Sequence, residues 1–252
     1  MKFASLGSGS KGNSTLIKTE STCIMVDCGF SMRQVNTRLT RLGVRPQEID
    51  ALLVTHEHSD HWSGVVSLAS KFNIPVYLTA GSRRVSDTLP ASLVNIINGD
   101  RPFAIRDFTI TPVPVPHDAR EPVQFIVDTA ARRCGILTDI GRMTPHVVQH
   151  YQSCDALFLE ANHDADILFA GPYPAFLKER VSGGWGHLNN QQAVDFVQKV
   201  NLSQLQYIVF GHISEQNNCL DRLRELVATS LLDVGKVHYA SQGQGLDWLV
   251  IQ

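Results

Sequence analysis

The chain has 252 residues, 43% of them hydrophobic, with a formal net charge of −2. That is enough apolar residue for a sizeable core without disulfides, and α/β chains of about 250 residues often fold as one domain. The charge excludes a basic nucleic-acid coat and an acidic tail protein, so any polyanion must be held by a local patch or by metal.

Cys23, Cys28, Cys134, Cys154 and Cys219 are scattered, with no Cys-x-x-Cys pair. Five such thiols are expected to be reduced in a cytoplasmic protein, although Cys28 can also serve as a metal ligand. The N-terminus lacks the apolar stretch of a signal peptide, and no run approaches the ~20 residues that span a bilayer. The expectation is a cytoplasmic protein with no membrane partner.

Phe3 to Leu6 and Thr15 to Lys18 read as a hairpin around the polar loop Gly7-Ser8-Gly9-Ser10-Lys11-Gly12-Asn13-Ser14. Such a loop can offer backbone N–H groups and a lysine to a phosphate, or be a plain turn. It is not a P-loop, because no Gly-Lys-Ser/Thr opens a helix here. Thr22 to Val26 is a third strand, ending at Asp27. Arg33 to Leu42 has helical spacing, with arginines expected on a solvated face. Ala51 to Val54 is a buried strand feeding Thr55-His56-Glu57-His58-Ser59-Asp60-His61.

In an extended segment side chains alternate faces, so His56 and His58 point the same way and can hold one metal. Asp60 and His61 follow as the chain turns and can reach a second ion. A helix over Val65 to Ala69 and a strand over Val76 to Leu78 continue an α/β rhythm. Phe108 to His117 alternates and carries prolines suited to an edge strand. Gln124 to Val127 and Cys134 to Thr138 read as a strand pair leading to Asp139. Thr144 to Tyr151 is a helix whose His146 and His150, four apart, look more like a surface pair than a metal site, and Ala156 to Glu160 is another strand.

His187 precedes a helix beginning at Asn189, whose Ala193, Val194, Phe196, Val197 and Val200 share one face. Tyr207 to Phe210 is a strand ending in Gly211-His212. A helix over Asp221 to Leu232 and a closing strand pair, Lys236 to Tyr239 with Leu246 to Ile251, complete the chain, with His238 structural. No repeat or linker divides it, so residues 1–252 are expected to form one domain. Asp27, His56, His117, Asp139 and His212 all lie at strand ends, where loops converge on one rim.

That order of motifs resembles the metallo-β-lactamase superfamily over nearly the whole chain. The resemblance implies an αββα sandwich of two mixed β-sheets with helices on both outer faces. It also implies two divalent metal ions, Zn2+ or Mn2+. His56, His58 and His117 would hold one, Asp60, His61 and His212 the other, with Asp139 bridging and Asp27 supporting from behind. An aspartate bridge favours the dinuclear hydrolase and nuclease branches. The Gly7–Ser14 loop, His117-Asp118-Ala119, Asn162-His163-Asp164, Gly186-His187-Leu188-Asn189-Asn190 and Gly211–Asn218 are similar to the YycJ/WalJ branch, whose members act as 5′-to-3′ exonucleases on double-stranded DNA. Two departures, Asn189 for serine and Glu160-Ala161-Asn162 for Glu-Ser-Asn, bear on substrate preference rather than chemistry.

Two ions about 3.5–4 Å apart can share and acidify a water and hold both oxygens of an in-line displacement. The expected nucleophile is a bridging hydroxide oriented by Asp60 or Asp139. His187, at a helix start, is expected to contact the scissile phosphate or protonate the leaving oxygen. Ser8, Ser10, Lys11, Asn13 and Ser14 are candidates for a terminal 5′-phosphate on a duplex DNA end, with Asn190 a further substrate contact. For His163, ligand support, phosphate contact and loop structure stay open. Arg83, Arg84, Arg132 and Arg133 can form a duplex-binding patch or merely a solvated face. The competing readings are a cyclic-nucleotide phosphodiesterase or thioester hydrolase of the same fold, and a metal-stabilised binding protein without activity. Metal identity, oligomeric state and pathway are left open.

Overall fold

A computed structural model describes residues 1–83, 88–201, 203–231 and 236–252. In chain order its first half contains β1 (Lys2–Gly7), β2 (Ser14–Lys18), β3 (Cys23–Val26), α1 (Met32–Arg41), β4 (Ala51–Leu53), α2 (Ser59–Trp62), α3 (Val65–Phe72), β5 (Val76–Thr79) and β6 (Val94–Ile97). The second half contains β7 (Phe103–Ile105), β8 (Phe108–Pro114), β9 (Val123–Asp128), β10 (Arg133–Leu137), α4 (Pro145–His150), β11 (Ala156–Glu160), α5 (Ala165–Ala170), α6 (Ala175–Ser182), α7 (Asn190–Lys199), β12 (Tyr207–Gly211), α8 (Leu220–Ser230), β13 (Lys236–Tyr239) and β14 (Leu246–Val250).

The described strands form two mixed sheets, β14-β1-β2-β3-β4-β5-β6 and β13-β12-β11-β10-β9-β8-β7. Period-two alternation makes each sheet apolar on both faces. In β3, Ile24 and Val26 enter the core between the sheets while Cys23 and Met25 face α1 and α3. In β11, Ala156 and Phe158 face inward while Leu157 and Leu159 pack under α4, α7 and α8. Three apolar layers result, and the αββα sandwich expected from the resemblance is the architecture found. Helix termini follow local chemistry: Ser31 and Gln34 form a capping box at α1, and Asn189 and Gln192 another at α7. No described helix is long and apolar enough to cross a membrane.

Several elements differ from expectation. The prolines of β8 do not mark an edge strand: β7 covers it over Phe108–Ile110. Pro112 and Pro114 fall beyond the end of β7, on the side where a missing N–H costs no ladder bond. The closing strands are not a pair, since β13 joins β12 in one sheet and β14 joins β1 in the other. The arginines of α1 are not all solvated. Arg38 reaches the carbonyls of Leu6 and Gly243 at 2.6 and 2.7 Å, and Arg41 that of Ser5 at 3.0 Å. The helix expected after the histidine cluster is α3, but the cluster itself ends in a further short helix, α2, which contains Asp60 and His61 and is broken from α3 at Ser63-Gly64. Arg84 and Leu232 lie outside the described residues.

Candidate metal centre

The strand ends of both sheets deliver the candidate residues to one rim. Asp27 follows β3, His117 follows β8, Asp139 follows β10 and His212 follows β12. Asp27, Asp139 and His212 turn there with φ of 59°, 52° and 50°. Left-handed backbone at a non-glycine residue is costly and collects at functional sites. Gly29 sets the depth of the rim. A Cβ there would lie 1.7 Å from the Asp60 carbonyl oxygen, which accepts the Asn13 N–H at 2.7 Å.

Two groups of donors converge. Donor atoms of His56, His58 and His117 all lie within 4.8 Å of one another, and so do those of Asp60, His61, Asp139 and His212. Asp139 stands between the groups: its Oδ2 is 3.1 Å from His61 Nε2, and its Oδ1 is 3.5 Å from His212 Nε2 and 3.9 Å from His117 Nε2. His56 Nε2 and His212 Nε2 are buried without a hydrogen-bond partner among the described residues. Unpartnered buried imidazole nitrogens that face acidic neighbours are what a divalent metal ion satisfies.

The opposite ring nitrogens are held from behind. His61 Nδ1–H donates to Asp27 Oδ2 at 2.8 Å, and His117 Nδ1–H donates to the Gly186 carbonyl at 3.0 Å. His56 Nδ1 lies 2.9 Å from Thr55 Oγ1, a hydroxyl that itself donates to Asp27 at 2.8 Å. His58 is reversed: its Nε2–H donates to the Asp118 carbonyl, leaving Nδ1 3.3 Å from His117 Nε2. The Asn162 side-chain amide lies 3.0 Å from His212 Nδ1. Such partners fix ring orientation and tautomer.

The electrostatics follow from this crowding. Burial, then His61, pushes His56 well below the usual imidazole range. Burial would lower His61 too, but Asp139, Asp27 and Asp60 carry it well above. Burial would raise Asp139; His212 and His61 hold it well below the carboxylate range instead. For Asp27 burial wins and its pKa rises despite His61 and Thr55.

A cavity of about 370 Å³ opens above the donors, walled by Tyr173, Leu177 and Arg180 from the α6 side and by Ser10 opposite. His187 faces it. Its Nδ1–H donates to Glu160 Oε2 at 3.1 Å, and although burial works the other way, Glu160 lifts its pKa to about 9. Glu160 is the residue that the strand reading missed. Fully buried at the end of β11, it accepts the backbone N–H groups of Asp139, Ile140 and Leu188. Its strand-end position was the available signal. Asp118, bound by Arg180 at 2.5 Å, and Thr55 also escaped notice, because only tertiary contacts give them a part.

Other candidates fall elsewhere. The glycine-serine loop is not a backbone phosphate cradle. The N–H groups of Gly7, Ser8, Gly9, Lys11, Gly12 and Asn13 are all spent inside the protein. Ser8 accepts the His212 N–H and Asn13 donates to Asp60 at 3.2 Å, so these two serve the rim, while Ser14 is buried with no hydrogen-bond partner for its hydroxyl among the described residues. Ser10 lines the cavity, and Lys11 is exposed but paired with Glu215 at 2.6 Å. His163 is buried, with burial pushing its pKa down to about 4, and its carbonyl accepts Asn190 N–H. That placement fits the loop-structure reading of His163. Asn190 bonds Asn218 at 2.9 Å, away from the cavity. Cys28 belongs to the apolar cluster under α1 and to none of the donor groups. Arg132 and Arg133 sit at the β9–β10 turn, the opposite end of β10 from Asp139, and face Asp155 and Asp128. They are no part of a patch beside the site.

Residues 22–213 match the model of a β-lactamase superfamily domain. An exodeoxyribonuclease, WalJ, of Streptococcus pneumoniae serotype 2 (strain D39 / NCTC 7466) is 29% identical over 99% of this chain and 93% of its own. An exodeoxyribonuclease, YycJ, of Bacillus anthracis is 28% identical over 93% of this chain and 90% of its own. Among solved structures, the metallo-β-lactamase fold protein YhfI from Bacillus subtilis superposes with a TM-score of 0.76 at 17% identity, covering 99% of both chains.

Proposed function

The chain belongs to the β-lactamase superfamily, a hydrolase by fold, and from that premise we propose that it is a dinuclear metal-dependent 5′-to-3′ exonuclease on double-stranded DNA. The observation that carries the hydrolytic part is the pair of converging donor groups with unpartnered, inward Nε2 atoms on His56 and His212. The DNA part is supported by the near full-length similarity to two proteins named exodeoxyribonucleases.

In this reading His56, His58 and His117 would hold one ion and Asp60, His61 and His212 the second, with Asp139 placed to serve both groups. Zn2+ and Mn2+ both suit the donor set. When bound, such ions supply Lewis-acid polarisation of a phosphodiester and acidify water. The chain's own residues do the rest. Asp27 and Thr55 keep the imidazoles aimed. Asp139 and Asp60 supply the negative charge that the ions require. His187, its Nδ1–H held by Glu160, presents its other nitrogen to the cavity, from where it donates a proton to the leaving oxygen.

Ser10 and Lys11 are the remaining candidates for a terminal 5′-phosphate, with Glu215 giving up Lys11 when the phosphate arrives. Beside His187, Trp185 is 58% exposed and the Arg142 guanidinium lies 5.5 Å from its ring centroid, a pair on which a base can stack. Residues 1–252 act as one domain in this reading, with the inter-sheet core drawing on both halves of the chain. The cytoplasm is the proposed compartment, in keeping with five unpaired cysteines.

The test is digestion of a linear duplex, with and without a 5′-phosphate, in Mn2+ or Zn2+, beside Asp60→Ala. Metal-dependent release of nucleotides from 5′ ends, lost in the variant, is expected. Protein that holds two ions, cleaves bis-p-nitrophenyl phosphate and leaves DNA intact would move the assignment to a small-molecule phosphodiesterase.

A further inference from the structure

A second set of metal-competent side chains lies outside this centre. His146 and His150, four apart on α4, turn to one face, as residues at that spacing must. Opposite them Asp100, from the turn between β6 and β7, points its carboxylate at both. His146 Nε2 is 3.0 Å and His150 Nε2 3.4 Å from the same oxygen, Asp100 Oδ1, and the rings are 4.5 Å apart. Donors around a tetrahedral zinc at 2.0–2.1 Å stand about 3.3 Å from one another, so these separations match a coordination edge.

The turn is built to hold that carboxylate in place. Gly99 lies so close to β8 that a Cβ would meet Pro114 Cγ at 2.5 Å. Asp100 donates its N–H to the Pro112 carbonyl at 2.8 Å and takes a left-handed φ of 59°. Across from it, Thr144 caps α4 through the Val147 N–H and Pro145 starts the helix, which fixes the histidine pair. His150 is kept toward the neutral form, by burial and then by His146, and neutral imidazole is the ligating form. Arg133, whose charge reaches His150, is itself tied to Asp128 at 2.7 Å.

We propose that Asp100, His146 and His150 form a peripheral binding site for one divalent transition-metal ion of the zinc class. Water completes the coordination, since all three residues are partly exposed. Asp100 is tied to Pro112 within β8, whereas His117 lies beyond the strand's end at Pro114, and the two donor groups share no residue. An ion there clips the crossing between the two sheets to α4 and to β8, the strand that leads to His117. Its role is therefore to brace the fold where the chain crosses between the sheets, independently of the substrate and of the catalytic rim.

The experiment counts Zn2+ bound to untagged, metal-stripped protein after dialysis against buffered micromolar Zn2+. The wild type is compared with His146→Gln/His150→Gln and with Asp100→Asn. The double variant should hold one Zn2+ fewer per chain and lose part of the rise in unfolding temperature that Zn2+ confers. Its turnover of bis-p-nitrophenyl phosphate should be unchanged. Asp100→Asn, which retains the left-handed turn, should bind that ion at least about tenfold more weakly, because even second-layer changes cost 10–100-fold. Equal uptake in all three proteins, with equal thermal shifts, overturns the site. The phosphodiester assay reads the catalytic centre separately, so failure of one assignment leaves the other standing.

Discussion

Asp27 shows how much a single side chain can carry. One carboxylate accepts the Thr55 N–H and hydroxyl and the His61 Nδ1–H, all at 2.8 Å, from a left-handed backbone that asparagine also tolerates. Asp27→Asn should therefore fold yet bind Zn2+ about 10–100-fold more weakly, as measured by competition with a chromophoric chelator. Unchanged affinity would remove Asp27 from the site. His163 carries a different consequence. It titrates near 6.5 when unfolded, but burial brings it to about 4 in the fold. Between those values the unfolded chain binds the extra proton. Stability from this residue is thus complete above the upper value and falls as pH drops through the window, by on the order of 2 kcal/mol at pH 5. Urea midpoints at pH 7.5 and pH 5 should diverge less in His163→Gln than in the wild type; equal divergence would place the acid sensitivity elsewhere.

At the scale of elements, the loop between α6 and α7 does three jobs within three residues. Gly186 turns its carbonyl to His117 Nδ1–H, His187 enters the cavity, and Trp185 is left on the outside against Arg142. A base stacked on an aromatic ring contributes about 1–3 kcal/mol. Trp185→Ala should accordingly raise KM for duplex DNA by about tenfold or more while leaving bis-p-nitrophenyl phosphate turnover alone. A fall in both activities would show instead that the loop itself had been disturbed. The glycine-serine loop behaves in the opposite way to its composition. Its composition suggests an open polar turn, yet most of its backbone N–H groups and the Ser8 and Asn13 side chains are consumed inside the protein, bound to partners that include Asp60, His212 and Gln242.

Across the whole molecule, the two sheets meet through one apolar layer, and the rim is only as well placed as that layer is packed. Phe158 sits in it, 1% exposed, among residues from both sheets. Phe158→Ala should cost about 3–5 kcal/mol of unfolding free energy, measured by denaturant titration. A loss under about 1 kcal/mol would mean that the sheets are held mainly by their outer helices. The buried apolar runs of β3, β4, β11 and β12, the one-faced apolar spacing of α7, and the strand-end positions of Asp27, His56, His117, Asp139 and His212 were all legible in the sequence. Each depends on neighbours within a few residues. So was the grouping of the donors, through the resemblance of the motif order. What the sequence left open depends on distant partners. Glu160 earns its place through Asp139 and His187, the prolines of β8 through where β7 stops, and the closing strands through joining different sheets. The Gly7–Ser14 loop turned inward, and Asp100 met a histidine pair on α4, only because the sheets packed as they did. Local periodicity and strand ends are set by backbone geometry that a short window contains; hydrogen-bond partners and donor distances are set by which surfaces the folded core brings together.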